Sequence, residues 1–380
     1  MTNNMNKFLN DKFNSIIILG PTAVGKTGLG VKIADSLNCG KIGSAVESHI
    51  ISADSRQVYR GLDIGSGKDL CEFTLDKGTE NERVIPYHLI DIVNVSEEYN
   101  VFRYQKDFYE CFSELRAKNI LPIIVGGTGM YIDAIVRGYK LGEVPTNISL
   151  REKLQGKSVE ELAEILRSLK EKNGGELHNT TDTLEHHRLL RAIEIETARQ
   201  NNSCQNNLPE NAGGAQNDSA AQDNAFHNAL AHGNVLAHGK DGENEISRPD
   251  IRPLILGTTF DRQIVRERVT IRLKERLEEG MIDEVQKIHD CGIEWERLER
   301  LGLEYKFVSL YLQGKISYDE LFTQLNTAIH QFVKRQETWF RGMEKKGVKI
   351  HWLPKDESRF DAAIKFIEKE MFSNETFDCN

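Results

Sequence analysis

Ser15-Ile16-Ile17-Ile18-Leu19-Gly20-Pro21-Thr22-Ala23-Val24-Gly25-Lys26-Thr27 is the stretch that decides the fold. Ile16 to Leu19 is a short apolar run rich in β-branched residues, the composition of a buried strand. It passes directly into Gly20-x-x-x-x-Gly25-Lys26-Thr27, which fits the phosphate-binding loop G-x-x-x-x-G-K-[ST] at each fixed position. Gly20 and Gly25 let the backbone curl until its N–H groups face phosphate oxygens, and the helix that follows adds positive potential at its N-terminus. Lys26 brings a full charge, and the Thr27 hydroxyl is placed to ligate Mg²⁺. The amphipathic segment Leu29–Leu37 completes strand, loop and helix. Gly20, Pro21, Thr22, Ala23, Val24, Gly25, Lys26 and Thr27 are therefore expected to hold a phosphorylated ligand.

Working outward, Ile50-Ile51-Ser52 reads as a second strand and Tyr87–Ile92 as a third. Val101–Lys118 has the spacing of an amphipathic helix. Ile120–Val125 is the strongest buried strand, ends in Gly126-Gly127-Thr128-Gly129, and reopens as the helix Met130–Val136. Apolar strands alternating with helices predict an α/β fold, a P-loop NTPase-like parallel sheet with helices on both faces. Residues 13–139 form the first part of that core. Residues 140–199 change character: Leu150–Leu154, Val159–Leu169 and Leu184–Ala198 are charged amphipathic helices with no strands between them, an inserted helical subdomain. Residues 200–248 hold few bulky apolar side chains and are expected to be a disordered insertion. The core resumes over 249–354 with the strand Ile251–Gly257 and the helices Arg262–Glu279, Ile282–His289 and Asp319–Met343. A tail helix is expected within 355–380.

The composition narrows the function classes. A net charge of −9 argues on average against nucleic acid, but a local stripe suffices to engage a phosphate backbone. Lys334-Arg335-Gln336-Glu337-Thr338-Trp339-Phe340-Arg341, followed by Lys345, Lys346 and Lys349, is such a stripe with aromatics interleaved. The six cysteines form no C-x-x-C pair, which predicts reduced thiols in a cytoplasmic protein and neither zinc nor disulfides. No apolar run approaches the ~18 residues of a membrane span.

A phosphate loop alone does not name a reaction. Asp54, just beyond the second strand, is placed to face Lys26; it could deprotonate an acceptor hydroxyl, accept a proton from an amine, or merely cap a turn. Gly126-Gly127-Thr128-Gly129 offers N–H groups and a hydroxyl at the sheet edge for a second polar ligand. No strand ends in the apolar-run-plus-Asp that completes an NTPase magnesium site, Leu89-Ile90-Asp91 being the nearest candidate. That suits a diphosphate that leaves whole.

The chain resembles the tRNA dimethylallyltransferase family. The resemblance is carried by Gly20–Thr27, Asp54-Ser55-Arg56-Gln57-Val58-Tyr59-Arg60-Gly61-Leu62-Asp63-Ile64-Gly65, His88–Asp91, Val125–Tyr131, His187-Arg188-Leu189-Leu190-Arg191-Ala192-Ile193-Glu194 and Lys334–Arg341, in that order. It implies transfer of a dimethylallyl group from dimethylallyl diphosphate to N6 of adenosine 37, beside the anticodon, with release of pyrophosphate. It further implies Mg²⁺ as cofactor, with Thr27 as its protein ligand. Asp54 would be the base, with Lys26 and Thr128 as its catalytic companions. The resemblance places tRNA contacts at Asp54, Ser55, Arg56, Gln57, Thr128, Arg151, His187, Arg188, Leu189, Leu190, Arg191, Lys334, Arg335, Gln336, Thr338, Trp339, Phe340 and Arg341, around an adenine flipped from its stack. The enzyme is expected to act as a monomer on the anticodon stem-loop. Ile329-His330 stands where the family usually has Thr-Arg. On the residues alone, prenyl transfer to free adenine nucleotides, a small-molecule kinase and a non-catalytic RNA-binding protein remain open.

Overall fold

The computed structural model describes residues 12–139, 141, 144–173, 186–205 and 247–372. The strands are β1 (Ser15–Leu19), β2 (Ser48–Ser52), β3 (Thr74–Leu75), β4 (Arg83–Val84), β5 (Tyr87–His88), β6 (Leu121–Gly126), β7 (Pro253–Gly257) and β8 (His351–Trp352). Six of them form one sheet in the order β5-β2-β6-β1-β7-β8, and each neighbouring pair is parallel. β3 and β4 form a separate antiparallel pair.

The helices of the described residues are α1 (Lys26–Asn38), α2 (Val101–Ala117), α3 (Gly129–Arg137), α4 (Ile148–Leu154), α5 (Val159–Lys172), α6 (His186–Gln205), α7 (Arg262–Glu278), α8 (Met281–Asp290), α9 (Trp295–Arg300), α10 (Leu303–Leu312), α11 (Tyr318–Lys345) and α12 (Arg359–Ile367). None is long and apolar enough to cross a membrane. Ile16, Ile18, Ile50, Ile123, Val125, Leu254 and Leu256 pack on one face of the sheet with residues of α1 and α12. Ile17, Ile51 and Ile124 alternate with them, are wholly buried, and so point to the other face, where α2 packs against β6.

The described residues fall into two compact units, divided between Val136 and Arg137 and rejoined by the segment beginning at 247. The first unit holds the sheet. The second contains α4, α5 and α6 around Leu154, Leu162, Leu166, Leu189 and Ile193. The C-terminal end of α6 revises the sequence boundary: the helix runs on to Gln205, so residues 200–205 are helical. Residues 206–246 of the expected insertion, and 373–380 of the expected tail, lie outside the described residues.

One strand is shorter than its sequence predicts. β5 stops at His88 because Leu89 and Asp91 take positive φ values of 59° and 56°, which no ladder accommodates. Asp91 pairs with Lys68. That ammonium, 1% exposed, meets Asp91 at 2.5 Å, Asp63 at 2.6 Å and the Tyr59 carbonyl at 3.0 Å. Asp91 is thus a structural counter-charge and leaves candidacy as a metal ligand.

Candidate active site

The strand order brings together loops far apart in sequence. β2, β6 and β1 are consecutive neighbours, so the segments leaving their C-termini stand side by side at one sheet edge. Such an edge is where parallel sheets bind ligands. The first segment is the phosphate loop, in which Ala23 and Gly25 adopt left-handed φ values of 62° and 67°. The second is Gly127-Thr128. The third is Ala53 to Gln57. Thr128 links the last two: its N–H donates to the Ala53 carbonyl at 3.2 Å, and its Oγ1 accepts from the Ser55 N–H at 3.0 Å.

Asp54 gives one carboxylate oxygen to the Arg56 N–H at 2.8 Å, so it does close a local turn. It also attracts Lys26 electrostatically, which joins it to the phosphate loop. Lys26 folds back over its own loop, donating to the Pro21 carbonyl at 2.6 Å. Burial pushes its ammonium down to about 8, against the pull of Asp54; Arg272 on α7 lowers it further and Glu72 opposes. Arg272 itself is held by Asp69 at 2.7 Å and the Gly67 carbonyl at 3.4 Å. The structure therefore adds Arg272 and Glu72 to the loop's electrostatic surroundings. Nothing in their local sequence marks them, since α7 carries arginine at 262, 266, 268, 272 and 276 alike.

Gln336 has a role different from the expected RNA contact. It is buried, its Oε1 accepts from the Thr22 N–H at 3.0 Å, and its Nε2 donates to the Gly127 carbonyl at 2.8 Å. It ties the phosphate loop to the Gly127-Thr128 segment. A Cβ on Gly127 would stand 2.6 Å from Gln336 Nε2 and 3.2 Å from the Gly20 carbonyl oxygen, so a side chain at that position would push the Gln336 amide from its place. Arg359, at the start of α12, braces the loop from another side, donating to the Val24 carbonyl at 2.6 Å. Gln336→Leu leaves the buried Gly127 carbonyl unmet, at about 1–3 kcal/mol, and the part-buried Thr22 N–H without its protein partner. It is expected to weaken inorganic diphosphate binding about tenfold or more, as isothermal calorimetry would read.

A family model described as IPP transferase matches residues 57–343. The chain belongs to the IPP transferase family. It is 44% identical over 342 residues to "tRNA dimethylallyltransferase 1" of Azobacteroides pseudotrichonymphae, covering 90% of this chain and 93% of that one. It is 42% identical over 360 residues to "tRNA dimethylallyltransferase 2" of Bacteroides fragilis, covering 95% and 96%. The crystal structure of a tRNA isopentenylpyrophosphate transferase from Bacillus halodurans superposes with a TM-score of 0.56 at 26% identity, covering 94% and 95%. A eukaryotic dimethylallyltransferase solved acting on tRNA shares the fold, with a TM-score of 0.60 at 19% identity over 93% of this chain and 78% of that one.

In this IPP transferase the predicted RNA contacts sort by exposure. On α11, Lys334, Arg335, Thr338 and Arg341 are exposed and Trp339 is half-buried against Gly129, whereas Phe340 is wholly buried. Ser55, Arg56 and Gln57 are half-buried, and Gln57 is pinned between the Ser52 hydroxyl and the Gly67 carbonyl. Ile329 is buried on α11, and His330 faces Thr270 at 3.5 Å. In the second unit His187 and Arg188 are exposed, Leu190 is half-buried, and Leu189 is wholly buried. Gln336, Phe340 and Leu189, also expected at the RNA, are buried in the protein: one braces the loop and two fill cores.

Arg151 and Arg191 are also committed. Glu194, whose side chain is 1% exposed, accepts from Arg151 Nε at 2.6 Å, Arg151 Nη2 at 3.1 Å, Arg191 Nη1 at 3.0 Å and the Asn147 N–H at 3.1 Å. Burial alone would raise the Glu194 pKa; the two guanidiniums and the Asn147 amide outweigh it and hold the carboxyl below its usual range. Glu194→Ala is expected to destabilise the second unit by about 2 kcal/mol, a figure discounted because both arginines still reach water. Thermal unfolding of the variant against the parent protein measures it.

Proposed function

We propose that this IPP transferase moves a dimethylallyl group from dimethylallyl diphosphate to N6 of the adenosine beside the anticodon of tRNA, acting in the cytoplasm as a monomer. The observation that carries the reading is the convergence of three loops at one sheet edge, which sets Asp54 in the electrostatic field of Lys26. The phosphate-loop N–H groups and Lys26 bind the diphosphate. Arg272 adds a second cation nearby.

The donor set suits a metal that arrives with its ligand. Among the described residues no cluster of three or more acidic, histidine or cysteine side chains could hold one unaided. Mg²⁺ would be held by Thr27 and the diphosphate oxygens, and would offset the charge of the departing pyrophosphate.

The adenine must leave its stack for N6 to reach the allylic carbon. N6 attacks C1 of the dimethylallyl group while the C1–O bond to the diphosphate breaks. Asp54 accepts the proton that N6 loses. Thr128, hydrogen bonded to Ser55, fixes the loop that carries Asp54. Ser55 and Arg56 lie beside the flipped base. Lys334, Arg335, Thr338 and Arg341 offer an exposed, mainly basic face to the RNA backbone, with Trp339 beside them. His187 and Arg188 offer further contacts from the second unit.

The test is transfer of radiolabelled dimethylallyl diphosphate, with Mg²⁺, to unmodified tRNA and in parallel to AMP and ATP. Label on tRNA at an adenosine adjoining the anticodon is the expected result. Label on AMP or ATP alone would replace the tRNA assignment with a free-nucleotide one. No label on any acceptor would overturn the enzymatic reading.

A further inference from the structure

The chain that follows the Asp54 loop is held by a single carboxylate of a distant helix. Glu284 on α8 accepts three consecutive backbone N–H groups: Asp63 at 3.0 Å and Ile64 at 2.6 Å on Oε2, and Gly65 at 3.1 Å on Oε1. Successive N–H groups turned to one point make an anion-binding concavity, filled here by the protein's own charge. The Tyr305 hydroxyl on α10 donates to the same Oε1 at 2.9 Å, and burial holds that phenol well above its usual range, so it remains a donor. From α7, Arg276 Nη1 donates to the Gly65 carbonyl at 3.3 Å. The helices thus grip the 63–65 backbone by its donors and by an acceptor.

That grip passes inward through two side chains. Gln57 accepts from the Ser52 hydroxyl at 2.9 Å and donates to the Gly67 carbonyl at 3.3 Å, and Asp54 lies within the loop that the first of these bonds closes. Lys68 joins the Tyr59 carbonyl at 3.0 Å to Asp63 at 2.6 Å. We propose that Glu284 is a positioning residue for prenyl transfer: it fixes the 63–65 backbone and, through Gln57 and Lys68, the loop that presents Asp54 to N6. The inference rests on the proposed reaction and extends it. Glu284 touches neither substrate nor proton; it sets where the base stands. A displacement of about 1 Å at a reacting group costs on the order of 10²-fold in rate, so a remote brace of this kind is felt in the chemistry.

Single-turnover transfer to saturating tRNA, with calorimetric binding of inorganic diphosphate and Mg²⁺ in parallel, tests it on the full chain. Glu284→Ala is expected to slow transfer about 10- to 100-fold while diphosphate affinity shifts less than about threefold. Glu284→Gln keeps a carbonyl oxygen for two of the amides, and the Tyr305 hydroxyl can turn to accept from the new amide group, so only the Gly65 N–H is opposed. That variant should lose about three- to tenfold, and it decides the matter should the alanine variant fail to fold. In an Asp54→Asn background, where the base is already gone, Glu284→Gln should cost less than about twofold more, because residues acting through one another are not additive. A role confined to stability would slow both backgrounds alike. Equal loss in the two backgrounds therefore overturns the proposal, as does a full rate in Glu284→Gln. Diphosphate binding that weakens in step with the rate overturns it too. A parent protein that labels no acceptor overturns the reaction and the proposal together, whereas an active parent with any of the former results removes Glu284 alone.

Discussion

Asp54→Asn is expected to lower the rate of dimethylallyl transfer about 10²–10⁴-fold, the usual worth of a positioned general base. The asparagine can still accept the Arg56 N–H through its carbonyl oxygen, so the local turn at 2.8 Å is preserved. What disappears is the capacity to take the proton from N6. Diphosphate affinity should stay within a few-fold, because Asp54 lies on the β2 loop and bonds to none of the phosphate-loop N–H groups among the interactions described. Single-turnover transfer with saturating tRNA and a parallel diphosphate titration separate the two effects. A variant with full turnover would remove Asp54 from the mechanism.

Lys26→Met should affect binding and chemistry together. A charge-assisted contact is worth about 1.5–3 kcal/mol, so inorganic diphosphate should bind roughly 10- to 100-fold more weakly. Turnover should fall further if, as proposed, the lysine also meets charge that grows as pyrophosphate leaves. The parent protein carries a second signature. Its free Lys26 has a pKa lowered to about 8 by burial. The ammonium is therefore mostly charged at neutral pH and loses its proton as the pH rises through about 8. A bound diphosphate favours the charged form, so binding is expected to take up a proton near that pH, and affinity should decline above it. Subtracting the Lys26→Met profile removes the ligand's own titration. Coincident profiles for the two proteins would show that Lys26 does not titrate with the ligand.

The sequence made the phosphate loop legible because its chemistry needs fixed residues at fixed spacing, and the buried strands legible because both faces of a parallel sheet are apolar. The adjacency of Asp54, Thr128 and Lys26 followed from strand order, which spacing alone does not give. The end of β5 was illegible for a different reason: Leu89-Ile90 looks like continued strand, and only the backbone reveals the left-handed residues that end it. Gln336 carried a usable signal. It lies three residues after Val333 and four before Phe340, within the stripe Leu321, Leu325, Ile329, Val333, Phe340 and Met343 that α11 buries. A lone amide on such a stripe must satisfy its hydrogen bonds inside the protein. Leu189 and Ile193 show the same four-residue spacing on α6. Arg272 and Glu72 had no such signal, because their meeting depends on how α7 and the 70–73 turn pack.

The bracing of the phosphate loop by Gln336 and Arg359 has a consequence for synthesis. The hydrogen bond from Thr22 to Gln336 spans 314 residues, and that from Arg359 to Val24 spans 335. Contacts so remote in sequence pay their loop-closure entropy late. A chain emerging from the ribosome can pair β1 with β6 long before either brace exists. Its phosphate loop would be drawn in outline but not yet held. Competence to bind diphosphate should therefore appear only when the C-terminal helices dock, trailing the recovery of helical signal after dilution from denaturant. A polypeptide cut short before α11 would carry the whole Gly20–Thr27 signature and lack the grip, so an abandoned translation product would not sequester the prenyl donor.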